Sequence, residues 1–216
     1  MILITGKERG FCLTAREILF GMGIICELCE PWEVSSRLLK RHSAILSVGR
    51  DLGMEAWELV SGIRSSDPKI PIIAVREDFC SREAVLFDAA YPSSLYCALA
   101  VRRLCELAAE RGIRRAGEYR TGELSVVAGR ALLGGASLSL TKSEAAVLGS
   151  IIAFYPEKIS AGKISELAFR HGREPSESGV RTHISAINKK LSAAGAPVRV
   201  FADDGYTLSE LAATPL

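Results

Sequence analysis

Over roughly its first hundred residues the chain alternates short apolar runs with stretches of helical period, and this alternation restricts the fold more than any other feature. The runs at Ile2 to Thr5, Ile24 to Cys29, Ala44 to Val48 and Pro71 to Val75 read as strands. Helical patterns near residues 12 to 22, 32 to 42 and 54 to 65 separate them. The resulting order, βαβαβαβ, calls for a parallel sheet covered by helices on both faces. A further helix, about 93 to 111, is marked by Leu95, Leu99, Val101, Leu104 and Leu107. The segment between 76 and 92 is too short for a full helix and a full strand, so one of the two is expected truncated or absent.

Residues 112–122 carry glycines and arginines without periodicity and read as a linker between a domain at 1–111 and a second at 123–216. A length of 216 residues allows each of them its own core. Beyond the linker, ELSVV, RALLGG and ASLSL read as short antiparallel strands. Thr141 and Glu144 form a capping box ahead of an apolar helix, and a second helix begins near Ser160. A third covers VRTHISAINKKL, and VRVFADDGYTL reads as a hairpin turning at Asp203-Asp204-Gly205. Three helices followed by a hairpin make a winged helix-turn-helix, so the fold class is an α/β doubly wound domain followed by an α+β winged-helix domain.

The third helix holds the clearest functional signal. At about 100° per residue Val180, Ile184, Ile187 and Leu191 fall on one narrow arc, which is a core face. Ser178, Arg181, Thr182, Ser185 and Lys189 fill the opposite sector with no acid among them. An anion fits there, although a merely solvated face has the same pattern. A net charge of +2 is too small to hold nucleic acid by bulk attraction, so binding must come from such a local patch or from doubled sites.

With 48% hydrophobic and 24% charged residues the chain is that of a folded protein. The N-terminus lacks the pattern of a signal peptide and no uninterrupted apolar run reaches 18, so a cytoplasmic protein without membrane contact is expected. All six cysteines lie in the N-terminal half, mostly within apolar segments, and read as buried thiols. Cys26-Glu-Leu-Cys29 has redox spacing, yet it sits in a run that reads as a strand, whereas redox pairs start a helix. No cofactor or metal is expected, and TGKERG lacks the spacing of a phosphate loop. No nucleophile, base and orienting group occur in matching context, so the chain does not read as an enzyme.

The C-terminal block resembles the OmpR-type winged-helix domain of two-component response regulators in its opening LTKSE, in VRTHISAINKKL and in the closing GYTL. The resemblance implies that the third helix enters the major groove of double-stranded DNA, with Ser178, Arg181, Thr182, Ser185 and Lys189 facing it. In place of the wing arginine stands Ala202-Asp203-Asp204, which repels phosphates and leaves Arg199 as the substitute.

The N-terminal half is similar in pattern to the receiver domain of the same family, which implies the strand order 2-1-3-4-5. The residues that receivers use to take a phosphoryl group are replaced: Gly6 and Lys7 stand for the metal-binding acids, Val48 for the acceptor aspartate, Arg76 for the hydroxyl residue and Tyr91 for the lysine. The likeness therefore implies a transcription regulator that acts without receiver phosphorylation, dimerises through the face of the last strand and the helix at 93 to 111, and engages RNA polymerase. Two alternatives remain at this point. One is an N-terminal ligand or redox sensor gating DNA binding, and the other is a winged helix used for protein contact.

Overall fold

The computed structural model describes residues 1–34, 41–48, 53–75, 86–92, 97–113 and 117–211. The chain divides into two compact units, Met1–Ala116 and Gly117–Leu216.

In the first unit β1 (Ile2–Thr5), β2 (Cys26–Cys29), β3 (Ala44–Val48), β4 (Ile72–Val75) and β5 (Ala89–Tyr91) form one parallel sheet in the order β2-β1-β3-β4-β5. Successive side chains of each strand serve opposite faces, and each face has its own core. On one, Ile2, Ile4, Leu46 and Ile73 pack with Ala15 and Leu19 of α1 (Arg9–Gly21) and with Val101 and Leu104 of α3 (Cys97–Glu110). On the other, Leu3, Ile45 and Ile72 pack with Val60 and Ile63 of α2 (Gly53–Ser66). Residues buried on both sides explain why the strands read as unbroken apolar runs.

Of the segment between 76 and 92, the described residues hold a strand of three residues at Ala89–Tyr91, and the expected helix falls on 76–85, which lie outside the described residues. Where a helix is expected at 32 to 42, Pro31–Glu33 form a single 3-10 turn that ends at the extended Val34, and 35–40 also lie outside the described residues. Asp88, just before β5, accepts hydrogen bonds from the Ile72 backbone N–H at 2.8 Å, from Arg64 at 2.7 Å and from Arg111. These contacts tie the ends of α2 and α3 to the sheet.

The second unit opens with an antiparallel sheet of β6 (Glu118–Thr121), β7 (Leu124–Val127), β8 (Arg130–Leu133) and β9 (Ala136–Ser137). Strand β6 corrects the expectation of a linker over 112–122. Gly122 and Glu123 form a two-residue turn, Gly122 at φ +53°, that pairs Thr121 with Leu124 and buries Tyr119. The helices α4 (Lys142–Phe154), α5 (Ala161–Ala168) and α6 (Glu177–Ala193) follow, then a hairpin of β10 (Val198–Ala202) and β11 (Tyr206–Glu210). Helix α4 is buried nearly all round and forms the centre of this unit. Its capping box forms as the sequence implies: Glu144 N–H donates to the Thr141 hydroxyl at 3.2 Å, and Thr141 N–H to the Glu144 carboxylate at 2.6 Å.

Candidate functional site

Helix α6 starts at its N-cap Ser176, whose hydroxyl accepts from Gly179 N–H. Val180, Ile184, Ile187 and Leu191 are buried, and they anchor the helix on the core. Ser178, Arg181, Thr182, Ser185 and Lys189 are exposed. Between the helix and the hairpin lies an open cleft of about 1270 Å³. It brings together Arg181, Ser185 and Lys189 from α6 and Arg199 from β10. Ser178 and Thr182 lie outside it, and both hydroxyls are engaged locally: Thr182 donates to the Ser178 carbonyl at 3.0 Å, while Ser178 and Ser176 share a hydrogen bond of 2.8 Å.

Two clamps fix the helix that carries these groups. The Asn188 side-chain amide exchanges two hydrogen bonds with the backbone of Val200 in β10, which joins helix to hairpin at 2.8 and 2.9 Å. Lys190 reaches the buried capping-box carboxylate of Glu144 at 2.6 Å. Burial alone would raise the pKa of that carboxylate, but the hydrogen bonds from Lys190 and Thr141 outweigh it and hold the group below its usual range. His183, at the edge of the core stripe, packs its ring against Phe169 with centroids 5.3 Å apart.

The hairpin turn is less repellent to anions than its sequence suggests. Asp203 is paired with Lys158 at 3.0 Å. Gly205 is favoured there by its φ of +125°, and a Cβ on it would also crowd Lys158 Cβ at 3.2 Å and the Ile159 carbonyl oxygen at 3.3 Å. Arg199 lies over the ring of the half-exposed Phe201, 5.8 Å from its centroid.

Sequence reasoning missed Asn188 and Glu177. Asn188 was detectable as a polar residue bordering an apolar stripe. Glu177, which also lines the cleft, precedes the stretch whose periodicity was legible.

In the first unit the carboxyl ends of the strands gather the other singled-out positions. Gly6 and Lys7 follow β1, Val48 ends β3 and Tyr91 ends β5, with Val48 in register with Val75 and Val75 with Tyr91. Arg76 lies outside the described residues. Among the described residues no group of three or more His, Cys, Asp or Glu side chains is placed to hold a metal ion. No described helix is long and apolar enough to cross a membrane.

Cys26 and Cys29 belong to opposite faces of β2, Cys26 to the α1 side and Cys29 to the α2 side. Three residues of strand separate their Cα atoms by roughly 10 Å, too far for a disulfide without unwinding β2. Burial, with the carboxylates of Glu33, Glu27 and Glu30, pushes the Cys29 thiol up to about 12 against a lowering influence of the nearby Thr5 hydroxyl. Burial and nearby Glu30 and Glu8 push Cys12 up to about 11.

No family model matches the chain, and comparison with curated proteins gives no match. Solved structures do match, among them OmpR/PhoB-type response regulators and a redox sensor derived from response regulators. A redox sensor of the streptococci, of a family evolved from two-component response regulators, is 16% identical over 97% of this chain and 98% of that one, with a TM-score of 0.42. The response regulator DrrB of Thermotoga maritima, an OmpR/PhoB homologue, is 16% identical over 96% and 98%, with a TM-score of 0.39. The DNA-binding domain of the response regulator AdeR, in complex with an intercistronic region, is 18% identical over 43% of this chain and 98% of that one, with a TM-score of 0.38.

Proposed function

We propose that the chain is a sequence-specific DNA-binding transcription regulator of the response-regulator type that acts in the cytoplasm without receiver phosphorylation. The C-terminal unit is a winged helix-turn-helix, α6 its recognition helix and β10-β11 its wing. One observation carries this reading: Arg181, Ser185, Lys189 and Arg199 converge on a single open cleft. Among the described residues neither Arg181 nor Lys189 is neutralised by an ion pair, so both cations are available to a ligand. An arginine bidentate to guanine supplies about 1–3 kcal/mol of base discrimination, and lysine supplies phosphate attraction.

The N-terminal unit serves as a dimerisation platform. Its α3 presents Leu99 together with a ladder of ion pairs, Arg102 to Glu106 and Arg103 to Glu106 and Glu110, on an exposed face. Two copies place two recognition helices on tandem half-sites, and the shared occupancy raises avidity beyond that of one weakly charged module. RNA polymerase is the partner through which bound dimers act. The positions Gly6, Lys7, Val48, Arg76 and Tyr91 supply neither a carboxylate for magnesium nor an acceptor for the phosphoryl group. A gate built on Cys12, Cys26 or Cys29 is opposed by the raised Cys12 and Cys29 thiols and by the separation of Cys26 from Cys29.

The deciding experiment measures affinity for selected genomic duplexes against salt. Log affinity should fall linearly with log salt at about −0.9 per phosphate neutralised, and Arg181→Ala with Lys189→Ala should weaken binding at least tenfold. A slope near zero, or normal occupancy by the double variant, would exclude the reading. Intact mass after incubation with a small phosphodonor and magnesium should show no phosphoryl adduct.

A further inference from the structure

We infer that Glu177 is a base-reading residue whose carboxylate accepts a hydrogen bond from the exocyclic amino group of a cytosine, next to the base contacted by Arg181. The inference rests on the DNA-binding reading above. Glu177 is the first residue of α6 and is exposed. It precedes Arg181 by four residues, so both side chains lie on one helix face, and both line the cleft. A glutamate four residues before a cation is the favourable orientation for a helical ion pair, yet among the described residues the two make none. Of the other acids of the cleft, Asp203 is matched by Lys158 and Asp204 sits on the hairpin turn rather than on the helix, whereas Glu177 lies on the helix itself and among the described residues forms no ion pair.

The helix dipole favours an acid in this first turn, but a carboxylate without an ion-pair partner is still repelled by every phosphate of a nucleic-acid backbone it meets. It gains only where a donor is offered, because an ionised carboxylate only accepts hydrogen bonds. In the major groove the bases offer two such donors, cytosine N4 and adenine N6, and carboxylates pair with the former. Recognition helices of this class contact base edges with their N-terminal residues, and Glu177 occupies that end. Four residues of helix advance about 6 Å against 3.4 Å per base step, so the two contacts fall one to two base pairs apart. Arg181 takes guanine, for which it is purely a donor. The pair thereby reads complementary chemistry, acceptor beside donor, along one stretch of groove.

The test uses the full chain, the variants Glu177→Gln and Glu177→Ala, and selection from a randomised duplex library, followed by affinities at one fixed salt concentration. The wild-type chain should select a cytosine whose replacement weakens binding about 5- to 150-fold. Glu177→Gln should exchange that preference for adenine, since glutamine pairs bidentately with adenine, and should leave the guanine assigned to Arg181 unchanged. Variants that bind every sequence more tightly by a common factor, with the preference intact, would overturn the inference and leave Glu177 a repeller of phosphates. Loss of all salt-dependent binding by the wild-type chain would instead defeat the DNA-binding reading, and this inference with it.

Discussion

Asn188 on α6 and Val200 on β10 are joined by a pair of hydrogen bonds in which a side-chain amide takes the place of a neighbouring strand: Nδ2 donates to the Val200 carbonyl and Oδ1 accepts from its N–H. The helix is thus set against the hairpin by a fixed contact midway along the cleft rather than by apolar packing alone. Replacement by alanine leaves a half-buried backbone donor and acceptor unpaired, which costs about 1–3 kcal/mol. Urea unfolding should report that loss. Asn188→Ala should also weaken DNA binding more than its stability change implies, because Arg181 and Arg199 lose their common reference.

Gly179 lies in the first turn of α6, where helix propensity alone predicts that alanine stabilises by about 0.5–1 kcal/mol. The structure predicts the reverse. A Cβ at this position would stand 2.8 Å from Pro175 Cβ, a ring carbon that no side-chain rotation can move aside, on a residue whose carbonyl accepts from the Ser165 hydroxyl at 2.8 Å. Gly179→Ala should therefore lower stability, by about 1–3 kcal/mol for an overpacked contact. A raised denaturation midpoint would refute this.

Acid should weaken both units, each through one carboxylate. For Asp88, burial raises the pKa, but hydrogen bonds from Arg111, the Ile72 N–H and Arg64 outweigh it and hold the group below its ordinary 3.8. Glu144 lies below its ordinary 4.5 for the corresponding reasons. A carboxyl group depressed in the folded state binds protons more readily when unfolded. Its contribution is complete above the ordinary value and disappears as pH falls through the depressed one. Asp88→Asn should cost about 1–3 kcal/mol at pH 7, and the gap from wild type should close as pH falls below the ordinary value, read from denaturant midpoints along a pH series. A gap independent of pH would show that the carboxylate charge contributes nothing.

Cys12 and Cys29 should resist alkylation in the folded protein. Their pKa values of about 11 and about 12, against an ordinary 9.0, leave the thiolate at neutral pH at least about a hundredfold scarcer than for a free cysteine. Peptide mapping after brief iodoacetamide treatment should find both unmodified in buffer and modified in denaturant.

Much of this architecture is carried by local signals. The apolar runs at 2 to 5, 44 to 48 and 72 to 75, the Thr141 capping box and the stripe of α6 each follow from periodicity or from hydrogen bonds within four residues, so they are visible in one dimension. The same holds for the residue types at Gly6, Lys7 and Val48, since strand ends place them. Strand β6 was detectable as well: Gly122-Glu123 is a two-residue turn between YRT and LSV, hidden by the glycine and arginine content around it.

What the chain by itself determined is therefore which segments fold into which element and which faces of those elements are apolar, because these depend on backbone period and local pairing. Only tertiary structure decided how the faces meet. The Asn188 clamp spans 12 residues, the Lys158 to Asp203 pair 45 and the Lys190 to Glu144 pair 46. The need for glycine at 179 arises from where Pro175 is held. Such contacts join side chains whose positions are fixed by the packing of whole elements, and no spacing along the sequence encodes the distance between two elements that have yet to dock.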